Sequence, residues 1–390
     1  MDNLFVKLKL TNKTIGSMTA CLAVTLMALG VVFVFSASAR IDVEYNLAKF
    51  YSYPEFRQAI FFLISILILF GLSLIDYRIL AFRSGNWKGW ALNPAVWLVF
   101  VSIILLVMVL IPGIGMEINY ARRWLRIPLG PASINFQPSE LAKWSLVLFI
   151  PAVSALLGEK MKRFKNFAIL CAIIGLIAGL IVIEDFGTAF FVAFVSFVIL
   201  FIAGARWWHF LTPLPILAVL FTLAIIASPE RRERIRIFIN PDSSTSQTSG
   251  YQIKQSLIAI STGRILGKGL GGGISKYGHL PEDTTDFIFA IIAEELGFVG
   301  VCFVILLFIL FLVLGIIITG RCNDDFGKLL AFGIVLAITS QAAMNLGVVT
   351  RLLPTKGIAL PFISAGGTHL FLTAAAVGIL VSIAKRADEV

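Results

Sequence analysis

Charge is what this chain of 390 residues has least of: Asp, Glu, Lys and Arg together make up 14% of it. Histidine is scarcer still. His209, His279 and His369 lie far apart in sequence, so a histidine-built metal centre is not expected. The four cysteines, Cys21, Cys171, Cys302 and Cys322, show no paired spacing, and three of them fall in apolar runs. Neither a disulfide framework nor a cysteine metal site is suggested. What fills the chain instead is apolar side chain, at 58% and a mean hydropathy of +0.94. A soluble protein of this length could not hide so much apolar surface, so lipid is the expected solvent. The first apolar segment is too long for a signal-peptide core and has no convincing cleavage site. It reads as a retained anchor.

A spanning helix needs about 20 mostly apolar residues. Ten windows qualify: 16–36, 57–76, 92–111, 137–157, 166–183, 186–204, 210–228, 286–318, 327–349 and 366–384. The expected fold is therefore all-α and polytopic, a single membrane domain with both termini on one side. The eighth window is long enough to start outside the hydrocarbon or to tilt. Only "IEDFG" separates the fifth from the sixth, which predicts a tight helical hairpin.

Basic residues in short loops fix orientation. With the N-terminus cytoplasmic, "EKMKRFK" at 159–165 falls inside, and so do Lys7, Lys9, Lys13, Arg83, Lys88, Lys385 and Arg386. Of 32 basic residues, 15 then lie inside and 17 lie outside or at the outer edge. The long loop 229–285 weighs little, because long loops cross largely regardless of charge. The outer excess is informative: "ARRWLR" (121–126), "RRERIR" (231–236), Arg351 and Lys356. It suits either anionic headgroups or a site for an anionic, phosphorylated substrate.

Individual stretches sharpen this. "HLPEDTTDFIFAIIAEE" (279–295) places Glu282, Asp283 and Asp286 at the mouth of an apolar run. Thr284 or Thr285 can cap that helix, leaving Asp286 in its first turn. Matching of the helix dipole explains one carboxylate there. A carboxylate among cations at a water–lipid boundary also suits a general base. Glu294 and Glu295, about two turns deeper, need interior partners. In "INFQPSELAKWSLVLF" (134–149), Pro138 suits a helix start, and Glu140 and Lys143 can pair at i, i+3. Lys143 lies about one turn into the membrane, where a charge faces the protein interior. In "IEDFGTAF", Asp185 either caps the sixth span or belongs to a site. "TRLLPTKGIALPFISAGG" (350–367) has Pro354 and Pro361, which break helix, and reads as an outer re-entrant loop. "GRILGKGLGGG" (263–273) fails the phosphate-loop pattern, since Gly269 stands where Ser or Thr should be. It reads as a flexible, glycine-turned loop.

Taken together, "FSAS" (35–38), "RRWLRI…FQPSELAK", "EDFGTA", "GYQIKQSLIAISTGRILGKGL", "LPEDTTDFIFAIIAEELGFVG" and "NLGVVTRLLPTKGIALPFISAGG" resemble the SEDS family of FtsW, RodA and SpoVE, in order and over nearly the whole chain. The "LLPTKG" wording looks more like FtsW. The resemblance implies ten spans in the bacterial cytoplasmic membrane. It implies a peptidoglycan glycosyltransferase that polymerises lipid II, with a class B penicillin-binding protein as partner. Asp286 falls on the family's essential aspartate, Trp124 on the tryptophan of "RRW" and Lys143 on the lysine of "PSELAK". The growing strand on undecaprenyl pyrophosphate would be donor and lipid II acceptor. Arg122, Arg123, Lys143, Arg351 and Lys356 would offset the leaving pyrophosphate, with Glu140 and Asp185 as further substrate-binding candidates. A divalent cation, Mg2+ or Mn2+, would share that task. Departures from the family pattern are Thr284 for His, Tyr120 for Gly, Glu184 for Pro, Arg351 for Gly, and Ala365, Thr368 and His369 within "SYGGSS". The rival readings are a lipid II flippase or transporter, which would want midplane charges and an internal repeat, and a non-catalytic division scaffold.

Overall fold

The computed structural model describes residues 11–38, 53–82, 87–118, 121–129, 132–240, 249–277 and 280–387. Of the residues weighed above, Lys7, Lys9, Arg83, Tyr120 and His279 lie outside them, as does the side chain of Lys88. All ten expected spans are helices. In chain order they are α1 (Asn12–Ser38), α2 (Pro54–Leu74), α4 (Pro94–Leu110), α5 (Pro138–Leu157), α6 (Phe164–Val182), α7 (Phe186–Ile202), α8 (Pro213–Ala227), α11 (Ile288–Arg321), α12 (Asp325–Val349) and α13 (Gly367–Arg386). Among the described residues three further α-helices are α3 (Trp87–Leu92), α9 (Pro229–Ile239) and α10 (Ser249–Gly263). Proline opens α2, α4, α5, α8 and α9, where its missing N–H costs nothing. Asn93, Asp185 and Asp324 cap α4, α7 and α12 with their side chains.

Helix α5 is the axis of the bundle. Sixteen of its side chains, Pro138 through Ser154 with the sole exception of Leu141, are buried. The shell around it is lipid-facing, and α8 has no buried residue at all. One feature adds to the helical architecture. The outer loop after α4 forms a small antiparallel sheet of β1 (Gly115–Ile118), β2 (Ala121–Leu129) and β3 (Ala132–Phe136), in the order β1-β2-β3. The pleat puts Arg122 and Trp124 on one face of β2 and Arg123 and Leu125 on the other.

Helix α11 departs from its expected start. It begins at Ile288, its N-cap position is Phe287, and no side chain caps it. The Thr285 hydroxyl bonds Glu282 instead, at 2.8 Å, so Asp286 precedes the helix rather than lying in its first turn. At 34 residues the helix would run about 51 Å if straight, against a core of about 30 Å. It breaks at Gly297, whose φ is 65°.

The glycine-rich segment expected to be a flexible loop seals that break. Lys268 and Gly269 donate their N–H groups to the carbonyls of Glu294 and Glu295 (3.0 and 2.9 Å), while Phe298 and Val299 donate to Arg264 and Ile265 (2.9 and 3.2 Å). The segment thus replaces the helical bonds lost at Gly297, as broken backbone at membrane depth demands. Gly267 allows the approach: a Cβ there would sit 2.1 Å from the Glu295 carbonyl oxygen. The glutamates also find the interior partners they required. Glu294 meets Lys268 at 2.5 Å, and Glu295 meets Lys276 at 2.9 Å and Ser36 at 2.7 Å.

Candidate functional site

The outer end of the bundle gathers Asp286, Arg123, Asp185 and Lys356. Each comes from a different element. Arg123 comes from the inward face of β2. Its Nε donates to the Glu184 carbonyl at 3.0 Å, and its guanidinium lies 3.9 Å from Asp185. Asp185 sits at the tip of the α6–α7 hairpin. It caps α7 by accepting from the Thr188 N–H (3.0 Å) and hydroxyl (2.9 Å). Of the two readings weighed for Asp185, the cap is what the geometry shows, and the same carboxylate stands beside Arg123. Lys356 comes from the loop before α13. Its stem passes Gly187 and its ammonium lies 4.4 Å from the centre of the Phe190 ring.

Gly357 fixes how close the loop comes to Asp286. A Cβ on Gly357 would lie 2.9 Å from Asp286 Oδ2 and 4.0 Å from an Arg123 nitrogen. The loop's bare backbone therefore forms one wall of the Asp286 carboxylate. Hydrogen bonds lock that wall. Asn345 of α12 donates to the Asp286 carbonyl at 2.8 Å and to the Ile358 carbonyl at 2.7 Å. Ser364 donates to Thr285 O at 2.6 Å, and the Ala365 N–H to Thr284 O at 2.9 Å. Three non-glycine residues here have left-handed backbone: Glu282 (φ 57°), Arg351 (φ 61°) and Phe362 (φ 69°). Such conformations persist only where surroundings enforce them.

Electrostatics set Asp286 apart. Burial of its carboxyl, reinforced by the negative charges of Glu282 and Asp185, pushes its pKa up to about 7, against the opposing pull of Arg123 and Arg234. Burial lowers that of Lys356, while Asp185 pulls the other way. A carboxyl poised near neutrality can take a proton at physiological pH.

The other expected site residues have partners of their own. The Arg122 guanidinium pairs with Glu117 at 3.2 Å and its backbone N–H with Glu184 at 2.8 Å. Trp124 faces the same way, opposite Met116 in the sheet. Arg351 terminates α12. Glu140 and Lys143 form a separate buried group: Lys143 lies 2.7 Å from Glu140 and 2.8 Å from Gln341, and Glu140 is 3.1 Å from His369 Nδ1. Gln341 in turn donates to the Ala359 carbonyl at 2.9 Å. Gln341 and Asn345 are one helical turn apart, so the Lys143 group sits about 6 Å beneath the Asp286 anchor along α12. Sequence reasoning missed Gln341, Asn345 and Gly357. The signal available was two amides at i, i+4 in an apolar helix. Among the described residues no three His, Cys, Asp or Glu side chains are placed to hold a metal ion.

The cell cycle protein family model covering FtsW, RodA and SpoVE matches residues 17–389. This chain belongs to that family. A probable peptidoglycan glycosyltransferase FtsW of Geobacter metallireducens is 38% identical over 370 residues, covering 94% of this chain and 93% of that one. One from Nitrosococcus halophilus is 39% identical, covering 93% and 90%. Among solved structures, a chain described under structural coordination of polymerization and crosslinking by a peptidoglycan synthase complex matches with a TM-score of 0.72 and 29% identity, covering 95% of this chain and 97% of that one. The rod shape determining protein RodA of Thermus thermophilus matches at 0.61 and 26%, covering 94% and 96%. The FtsW/RodA/SpoVE membership and, among the described residues, eight helices long and apolar enough to cross a membrane, with α4 and α7 as shorter apolar helices, make the chain a multi-pass membrane protein.

Proposed function

We propose that this chain is a peptidoglycan glycosyltransferase that polymerises lipid II at the outer face of the cytoplasmic membrane. One observation carries the reading. Asp286 is a carboxyl held near neutrality, walled by Gly357 with Arg123 beside it, at the outer end of a membrane bundle. The sugar hydroxyl of lipid II attacks the anomeric carbon of the growing strand. A new C–O bond forms, the bond to undecaprenyl pyrophosphate breaks, the hydroxyl proton passes to Asp286, and the pyrophosphate departs with the electron pair. Cations beside the site offset the charge that develops on it. The lipid-exposed flanks of the bundle suit both polyprenyl tails.

A divalent cation fits as a substrate-borne ion. Mg2+ commonly takes one or two carboxylates with the rest from phosphates, and Asp185 is the carboxylate at hand, which leaves Asp286 free to take the proton. Such an ion would neutralise the pyrophosphate. A transpeptidase of the class B penicillin-binding type is the proposed partner, in keeping with the likeness to a chain of a peptidoglycan synthase complex. Incubating purified protein with lipid II, with and without that partner, tests the reading. Glycan chains from the native chain and none from Asp286→Ala are expected. Lipid II moved across a bilayer without polymer would instead mark a flippase.

A further inference from the structure

The basic helix α9 has no place in the site described so far. Its sequence, PERRERIRIFI, mixes cations with apolar residues and buries a single side chain, Ile237. It follows α8, which buries none. Apolar packing alone therefore does not seat it. Arg231 does. Its guanidinium donates to the carbonyls of Val182 (2.8 Å) and Ile183 (3.1 Å) at the end of α6, and of Ala224 (3.2 Å) in the last turn of α8. Those carbonyls belong to helix ends that lack intrahelical partners, where the dipole favours a cation. The guanidinium also stands 5.8 Å from the ring of Phe186, the first residue of α7. One side chain thus ties α9 to three helix ends beside Asp185.

The consequence falls on Arg234, on the same face one turn later. Arg231 and Arg234 are half-buried, while Arg232, Glu233 and Arg236 are exposed. Arg234 pairs with no carboxylate among the described residues, and neither does Lys356. Arg234 is nonetheless close enough to act on the charge of Asp286. Arg122 is engaged with Glu117 and Lys143 with Glu140 and Gln341. Arg234 and Lys356 are therefore two cations near the Asp185–Asp286 region that form no salt bridge among the described residues.

We propose that α9 carries the diphosphate subsite of the lipid-linked donor, with Arg234 as its contact and Arg231 as the positioning residue that holds the helix against the site. A planar guanidinium matches two phosphate oxygens at once. From this place it meets the charge released when the glycosyl–phosphate bond breaks. The inference rests on the glycosyltransferase reading, but its test separates the two.

The test uses full-length protein in lipid nanodiscs, with undecaprenyl pyrophosphate and undecaprenyl monophosphate as probes. Asp286→Asn, expected to be inactive, is used for direct binding and should prefer the diphosphate. Adding Arg234→Gln should reduce that preference at least tenfold, and Arg234→Lys should reduce it partly. Arg232→Gln, on the outward face, should leave it unchanged. In turnover, Arg234→Gln should weaken inhibition by the diphosphate while inhibition by the monophosphate changes little. Arg231→Gln should loosen both, because the helix is released. If Arg234→Gln keeps the native preference for the diphosphate, the proposal is wrong. If the native chain makes no glycan, the glycosyltransferase reading fails, and the binding comparison still decides the role of Arg234.

Discussion

Asn345 donates both hydrogens of its side-chain amide to the backbone of the site, one to the Asp286 carbonyl at 2.8 Å and one to the Ile358 carbonyl at 2.7 Å. The segment that carries the candidate base is thereby tied to the loop that carries Gly357 and Lys356. Removing the donor leaves two carbonyls unpaired, one buried and one part-buried, at a cost of about 1–3 kcal/mol for the buried one. Asn345→Ala should keep the membrane fold but lower lipid II turnover at least tenfold. Asn345→Asp should do worse, because an acceptor then faces two acceptors. Equal turnover in the two variants would mean that Asn345 only fills space.

The position of the Asp286 carboxyl makes a pH prediction. A general base works when ionised, and this one ionises around pH 7. Turnover should therefore fall as pH drops below 7, by up to tenfold per unit. Glu282 is the leading charge that holds the carboxyl up, so Glu282→Gln should shift the acidic limb to lower pH. Stability runs in the opposite sense. A carboxyl raised above its unfolded value binds its proton more tightly when folded, so it disfavours folding increasingly from about pH 4 to 7 and steadily above that. At pH 8, Asp286→Asn should melt above the native protein while showing no turnover. A pH profile of turnover that Glu282→Gln leaves in place would separate the limb from Asp286.

Helix number and order were legible because apolar run length reports membrane crossing directly. Arg123 and Lys356 were legible as cations where orientation disfavours them, and Asp286 as one of three carboxylates crowded at the mouth of an apolar run. Asn345 and Gln341 were not, because a neutral amide in an apolar helix carries no sign of its hydrogen-bond partners. The Gly297 break was hidden for a related reason. Its replacement bonds come from residues about 30 positions earlier, and local pattern does not encode such pairing. The sheet was missed because its central strand is basic and lies between spans, where loop is the default reading. Arg231 and Arg234 stood in a run of cations whose inward and outward members differ only once α9 is docked.

Gly357 supplies a steric test. A methyl group there would lie 2.9 Å from Asp286 Oδ2, closer than ordinary van der Waals contact. The loop is bonded at Ile358, Ala359, Ser364 and Ala365 and has little room to retreat. Gly357→Ala should cut turnover by about an order of magnitude or more, with little change in the binding of undecaprenyl pyrophosphate. Small-to-large changes of this kind cost typically about 1–3 kcal/mol, so the variant should still reach the membrane. Native turnover in it would show that the wall is not part of the site.

Lys143 is the sharpest case, because two roles predict different outcomes. Its side chain is 1% exposed and its ammonium meets Glu140 and Gln341. Breaking a buried pair by removing one partner costs about 3–5 kcal/mol. His369, 3.1 Å from Glu140, retains part of the compensation. Lys143→Met should therefore lower folded yield, and Glu140→Gln made with it should restore that yield by removing the stranded charge. Activity should not return. Lys143 holds the Gln341 carbonyl oxygen, which turns the Gln341 amide nitrogen toward Ala359 in the loop beside Asp286. Without the ammonium, that amide loses its fixed orientation and the loop loses one of its ties. The double variant should fold to native yield and polymerise at least tenfold more slowly, with the deficit in kcat rather than in lipid II binding. Folded yield by size-exclusion chromatography and glycan formation from lipid II, measured on both single variants and the double, decide it. A fully active double variant would reduce Lys143 to the partner of Glu140.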